Sequence, residues 1–352
     1  MRAGAIEALP ERVLSMKNSP AFLRFSLVTA VLFTGMAAFP ARANDSAASI
    51  VAGGIVLEEN EAVRLAREDL FLSPSRIEVA YEFENVTEED AALTIAFPFP
   101  DTFADDIGEQ WPPAPEKVRF IDFTTTFDGK PTEAREVVEI ISLEGENITA
   151  LFREEGWPLA PYDDLWQPST WYGDEARTAP IKERMAELGL LGNFESRKWK
   201  TRITYLWEAV FPAGEKVEVR HSYKPVAGAF MLSFMRNWQE AEKLDAFDSW
   251  FRERYCVGDE EFTALAALPE EERYSHFARE VGYVLTSGAN WNGPIGHFHL
   301  TIDTGAPGAV FASCWPHPLE QTGPQRLEFS AKNFTPEEDI IFMTYSPHLE
   351  ME

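Results

Sequence analysis

The chain has 352 residues, 31 basic against 58 acidic side chains, a formal charge of -27 and a pI near 4.6. Such acidity excludes nucleic acids and anionic membranes as partners, because both select clustered Lys and Arg. An apolar fraction of 45% with 13% aromatic residues excludes wholesale disorder.

The first element in chain order is an export signal. Phe25 to Phe39 is apolar, Lys17 and Arg24 precede it, and Ala41-Arg42-Ala43 follows. A cationic start, a short apolar run and small residues at the -3 and -1 positions make a cleavable secretory signal over residues 1–43, with Met16 as an alternative start. The other reading, an uncleaved anchor, needs a run of about 20 apolar residues, longer than this one. Cleavage after Ala43 removes Arg2, Arg12, Lys17, Arg24 and Arg42 against only Glu7 and Glu11, so the exported chain is more acidic still. No later stretch is apolar for long enough to cross a bilayer as a helix, and export through this signal leads to the expectation of a periplasmic mature protein without a transmembrane segment.

The mature chain is expected to be mainly β: two immunoglobulin-like β-sandwich parts, 44–225 and 226–352, with a helical insertion at about 146–196. Ile50 to Leu57 reads as a strand with Gly53-Gly54 as a bulge, followed by Val63 to Leu72. Ile77, Val79, Tyr81 and Phe83 alternate with polar neighbours, which gives a strand one dry and one wet face. Ala91 to Phe97 is its return. Phe120 to Phe127 and Ala134 to Ile141 flank Asp128-Gly129, a hairpin signal. In the insertion, Asn147 caps a short helix ending at Gly156, and Thr178 caps a second that carries Ile181, Met185 and Leu188. Strands return at Trp199 to Val210 and Val217 to Tyr223. Pro225 to Gly228 reads as a hinge. Helices around Trp250 and Phe262 then lead to five further strands between Ala278 and Tyr345, in the many-short-strand pattern of sandwiches.

Cys256 and Cys314 are the two cysteines, both in the exported part, and an even pair in an oxidising compartment is expected to form a disulfide. Closing a loop of this length disfavours the unfolded chain by about 4 kcal/mol in the loop-entropy model.

Signatures of catalysis are absent: there is no GxSxG elbow, phosphate loop, HExxH, SxxK, CxxC or EF-hand loop. Triads and carboxylate pairs can still assemble from distant positions, which keeps a hydrolase as one reading. Two candidate binding surfaces stand out. The loop Gly288 to His299 offers Trp291 between Asn290 and Asn292, a stacking face beside amides suited to sugars or peptides, or else a plug for the sandwich edge. The insertion carries Trp157, Tyr162, Trp166, Trp171 and Tyr172, which either pack it onto the sandwich or form an exposed patch for a glycan or a partner. His297 and His299 share a strand face, with His317 the nearest third ligand, and the solvent-facing reading outweighs a metal site. Asp105-Asp106, Asp163-Asp164 and Glu337-Glu338-Asp339 read first as solvated charge. No metal or cofactor is assigned.

Several segments together resemble the domain-of-unknown-function 4424 family of exported, mainly proteobacterial proteins. They are NDSAA at the expected mature start, GGIVL from Gly53, EDLFLS from Glu68, AFPFPD from Ala96 and NITALF from Asn147. They continue with WKTRITYLWEAVFPAG from Trp199, HSYKPVAG from His221 and YVLTSGANWNGPIGHFHLTID from Tyr283. The resemblance implies an exported protein of immunoglobulin-like β architecture and brings no catalytic residues. The function expected on these grounds is a protein-interaction or scaffolding module of the cell envelope, with a glycan or peptidoglycan binder as the alternative.

Overall fold

The computed structural model describes residues 46–51, 54–104, 121–225, 228–231, 246–269 and 277–346. The expected signal over 1–43 and the pair Asp105-Asp106 lie outside them, as does part of the hinge. The chain is mainly β, and the strands among the described residues form three sheets.

The largest sheet grows from the alternating segments. β3 (Val63–Leu72), β4 (Ile77–Asn85) and β11 (Lys216–Tyr223) are consecutive antiparallel neighbours. Their inward rows include Leu70, Val79, Tyr81, Phe83 and Val219, all buried, while Glu82, Glu84, Glu218 and Arg220 stand outward. Outward charges pair across strands, as in Lys216–Glu82 at 2.5 Å and Arg64–Glu84 at 2.7 Å. Exposed pairs of this kind contribute at most about 1 kcal/mol each, so the inward rows dominate. The sheet is completed by β7 (Thr124–Phe127) and β8 (Lys130–Thr132) on one side and by β14 (Ile295–Asp303), β16 (Glu320–Gly323) and β17 (Arg326–Phe334) on the other. β14 lies parallel to β3. The division expected at residue 225 therefore does not divide the sheets, since strands from both sides of it share this one.

The second sheet runs β2 (Gly54–Glu58), β1 (Ser46–Val51), β5 (Ala91–Pro98) and β10 (Trp199–Phe211), with β6 (Thr102–Phe103) and β9 (Arg135–Ser142) also against β10. Two expectations are corrected here. Val51 pairs with Gly54, so 50–57 is a hairpin and not one bulged strand. The Asp128-Gly129 turn closes a two-residue hairpin onto β8, where Pro131 limits pairing, and β9 crosses to the other sheet. The sheet is rolled: the Ile55 N–H in β2 donates to the buried Glu139 carboxylate of β9 at 3.3 Å, over a small core of Ala48, Ala96 and Leu206.

The third sheet is β12 (Gly228–Met231), β13 (Phe277–Tyr283), β18 (Ile340–Tyr345) and β15 (Val310–Ser313). Val281, Tyr283, Ile340 and Phe342 join the inward rows of the other two sheets in one core. The opposite row, with Ala278, Met343 and Tyr345, is covered by α4 (Ala246–Tyr255) and α5 (Asp259–Ala266) through Phe251, Tyr255 and Leu265. Cys256, in left-handed backbone at the end of α4, is disulfide-bonded to Cys314 just beyond β15. Arg254 and Tyr255 both donate to Glu280 on β13 beneath them.

The insertion holds α1 (Thr149–Glu154), α2 (Pro168–Trp171) and α3 (Glu175–Glu187). α3 begins three residues before its expected cap: the Asp174 carboxylate accepts from the Arg177 N–H at 3.2 Å, while Thr178 is buried within the helix and donates to the Asp174 carbonyl.

Candidate functional site

The three tryptophans of the insertion do not form a surface patch, one of the two readings of its aromatic residues, while Tyr162 and Tyr172 stay exposed. Trp157, Trp166 and Trp171 are buried with Phe152, Leu165 and Met185 against Ile140 of β9 and Trp199 of β10. Trp166 and Trp199 meet at 5.5 Å between ring centroids, and Phe152 and Trp199 at 5.2 Å. The Trp166 indole N–H donates to the Pro158 carbonyl at 3.2 Å. Two buried cations lie over the Trp171 ring, Lys182 at 5.3 Å and Arg197 at 5.6 Å. These side chains make a rigid platform. They cannot stack on a sugar.

What the platform presents is different. After α3 the chain makes a narrow hairpin from Leu190 to Lys198, in which Lys198 N–H donates to Leu190 and Gly192 N–H to Ser196, and Leu191 bridges Arg197. At its tip the Ser196 N–H donates to the Asn193 carbonyl at 3.1 Å, and the two residues between, Phe194 and Glu195, both take left-handed backbone with φ of 56° and 61°. This is the type I′ turn that Asn-Gly normally supplies. Left-handed backbone costs a residue with a Cβ about 1–2 kcal/mol. Phe194 returns nothing for that cost, because its side chain is 98% exposed. Glu195 is anchored on the buried ammonium of Lys182 at 2.6 Å, and Glu175 shares that ammonium at 3.5 Å. Tyr172, 58% exposed, lies with its ring 5.8 Å from the same ammonium. The site is thus one protruding phenylalanine beside a second exposed aromatic ring and a pair of carboxylates, the ring and the carboxylates gathered on one buried lysine.

The other expected surface is also a structural element. Trp291 is buried, 4.7 Å from Phe83 and 6.3 Å from Phe211 by ring centroids. Asn290 is buried too: its amide donates to the Ser46 hydroxyl at 2.9 Å and its carbonyl accepts from the Asn60 N–H at 2.8 Å. Asn292 is exposed, yet its amide donates to the Glu61 carbonyl at 2.6 Å and its N–H to Val63 at 3.0 Å. The loop clasps the start of β1 and the approach to β3.

The remaining candidates are accounted for locally. His297 and His299 stand on the outer face of β14, where His299 meets the Ser330 hydroxyl at 2.8 Å, and the His317 ring stacks on Phe329 at 4.9 Å. No grouping of three or more His, Cys, Asp or Glu side chains suited to a metal occurs among the described residues. Asp163 caps the turn Asp164–Trp166, Asp164 pairs with Arg177, and Asp339 accepts from the Leu285 and Thr286 N–H groups at 3.0 Å each.

The fold and this surface describe a mainly-β module that carries an aromatic-tipped helical insertion. The model of the domain-of-unknown-function family DUF4424 matches residues 43–342, and the chain belongs to that family. Among solved structures, a Legionella pneumophila protein provisionally described as nutrient-binding is similar at 14% identity and a TM-score of 0.43, over 87% of this chain and 71% of that one. An M1 zinc metallopeptidase from Deinococcus radiodurans is similar at 9% identity and a TM-score of 0.26, over 82% of this chain and 43% of that one. No curated protein matches.

Proposed function

We propose that the protein is exported to the periplasm through cleavage after Ala43 and acts there as a protein-interaction module of the cell envelope, docking a partner on the tip of its insertion. The observation that carries the reading is Phe194, held almost wholly in solvent on backbone that a phenylalanine disfavours. Strain that contributes nothing to folding points to a role outside folding. A protruding aromatic side chain on a rigid base is what anchors an interface, since little entropy is lost when it enters a socket. Glu175 and Glu195 beside it select a partner whose apolar socket is rimmed by Lys or Arg. Export is supported by the composition of residues 1–43, by the position of Ser46 already paired in β1, and by the disulfide. The envelope glycan alternative loses its three tryptophans, Trp166, Trp171 and Trp291, to the interior and keeps Tyr172 as its exposed ring.

The test separates stability from binding. Asn adopts left-handed backbone readily, so Phe194→Asn is expected to raise stability by up to about 1 kcal/mol in urea unfolding while abolishing association with the partner. A Phe194→Asn protein that still associates with wild-type affinity would refute the docking role.

A further inference from the structure

A second site lies away from the insertion tip, where the edge strands of two sheets part. β7–β8 of the largest sheet and β9 of the rolled sheet diverge around a cleft of about 560 Å³, and Tyr162 of the insertion stands at its mouth. Phe123 and Tyr205 form one wall, stacked at 4.4 Å between centroids. Glu136, on the row of β9 that continues into the apolar Val138 and Ile140, turns its carboxylate into the cleft. Its two oxygens accept one phenolic hydroxyl each, from Tyr205 at 2.6 Å and from Tyr162 at 3.0 Å. Burial first, and then the Glu136 charge, push the Tyr162 hydroxyl up to about 12. It therefore stays a donor, and the stability it contributes is fully present below about pH 10 and lost as pH rises through about 12. Burial also raises Tyr223 and Tyr255, so the difference between spectrophotometric titrations of the wild type and Tyr162→Phe should show this tyrosine ionising late, and Glu136→Gln should bring it earlier.

Two features make this cleft a site and not only a gap. Each Glu136 oxygen, having accepted one phenolic hydroxyl, keeps a lone pair for a further donor. Second, the described lining includes Glu133 and Glu136 with three aromatic rings, and no Lys or Arg. Aromatic faces and carboxylates together favour a cation and repel an anion. We propose that this cleft binds a small organic cation, an ammonium group carried on a short apolar or hydroxylated body. The volume falls in the range of small-molecule sites. The inference does not depend on partner docking, because Phe194 is not part of the lining.

The experiment is calorimetric titration of the exported chain with choline and with putrescine, each beside its uncharged counterpart, 3,3-dimethylbutan-1-ol and butane-1,4-diol. Saturable binding of at least one cation is expected, at least tenfold tighter than its counterpart, and weakened at least tenfold by Glu136→Gln. Failure of both cations to bind, equal binding of a neutral counterpart, or an unchanged affinity in a folded Glu136→Gln protein would each overturn the proposal. Should Glu136→Gln fail to fold, the comparison of cation with counterpart needs no variant. In that case 3-fluorotyrosine at position 162 reports the location, its resonance shifting with the bound fraction if the cleft is occupied and remaining still if binding is elsewhere.

Discussion

Trp291→Ala is expected to destabilise the protein by about 3–5 kcal/mol, the cost of emptying a buried indole site whose walls relax only in part. For a chain of this size that is a fall in melting temperature on the order of 10 °C. The walls here are the rings of Phe83 and Phe211, which lie on strands of different sheets, so the cavity opens across the interlayer core and not within one strand. Loss of the indole also loosens the loop whose flanking asparagines hold β1 and the approach to β3 through Ser46, Asn60, Glu61 and Val63. Differential scanning calorimetry of the variant checks the size of the effect. A companion Asn292→Ala removes one exposed side-chain bond and should cost about 1 kcal/mol. A Trp291→Ala protein that melts within a degree of the wild type would place the indole outside the core.

Removing the Cys256–Cys314 bridge is expected to cost about 2–5 kcal/mol. The bond spans a sequence separation of 58 residues and ties the end of α4 to the end of β15. Among the described residues, α4 and α5 pack on Ala278, Ala312, Met343 and Tyr345. Loss of the crosslink should therefore be felt there first. Amide exchange in the Cys256→Ser, Cys314→Ser double variant should accelerate over α4 and α5 before it does in β3, β4 and β11. In the oxidised wild type, thiol titration should find no free thiol until the bridge is reduced. Two titrating thiols, or a double variant as stable as the parent, would contradict this role.

Period two was the most legible signal. Ile77 to Phe83 and Val217 to Tyr223 each have one row that only a sheet interior can hold, and they fell adjacent in register. Sheet membership was less legible because it depends on partners distant in sequence. The Asp128-Gly129 turn specifies a hairpin but not how long its return arm is, so it does not reveal that β9 leaves the hairpin to pair with β10. Gly53-Gly54 is compatible with a bulge or a turn, and only the pairing of Val51 with Gly54 decides between them.

The aromatic insertion shows the harder limit. Trp166 and Trp171 lie in a three-residue turn and a four-residue helix, too short for a 3.6-residue period to declare which face is dry, so the same tryptophans fit a platform or a patch. Phe194 carried no signal of its own, since its exposure follows from the I′ geometry at a tip whose sequence, Phe-Glu, is not one that turn favours. Glu136 was visible in principle. It interrupts the row continued by Val138 and Ile140, and a carboxylate in an otherwise apolar row marks either a defect or a site.

The measurement that tests the central claim most directly is photocrosslinking in intact cells from a benzoylphenylalanine placed at Tyr172, beside the proposed docking tip. With Phe194 present, one discrete adduct with an envelope protein is predicted, and Phe194→Asp in the same protein should eliminate it without lowering the melting temperature. An adduct that persists in the Phe194→Asp protein, or the absence of any adduct with Phe194 intact, would contradict the account.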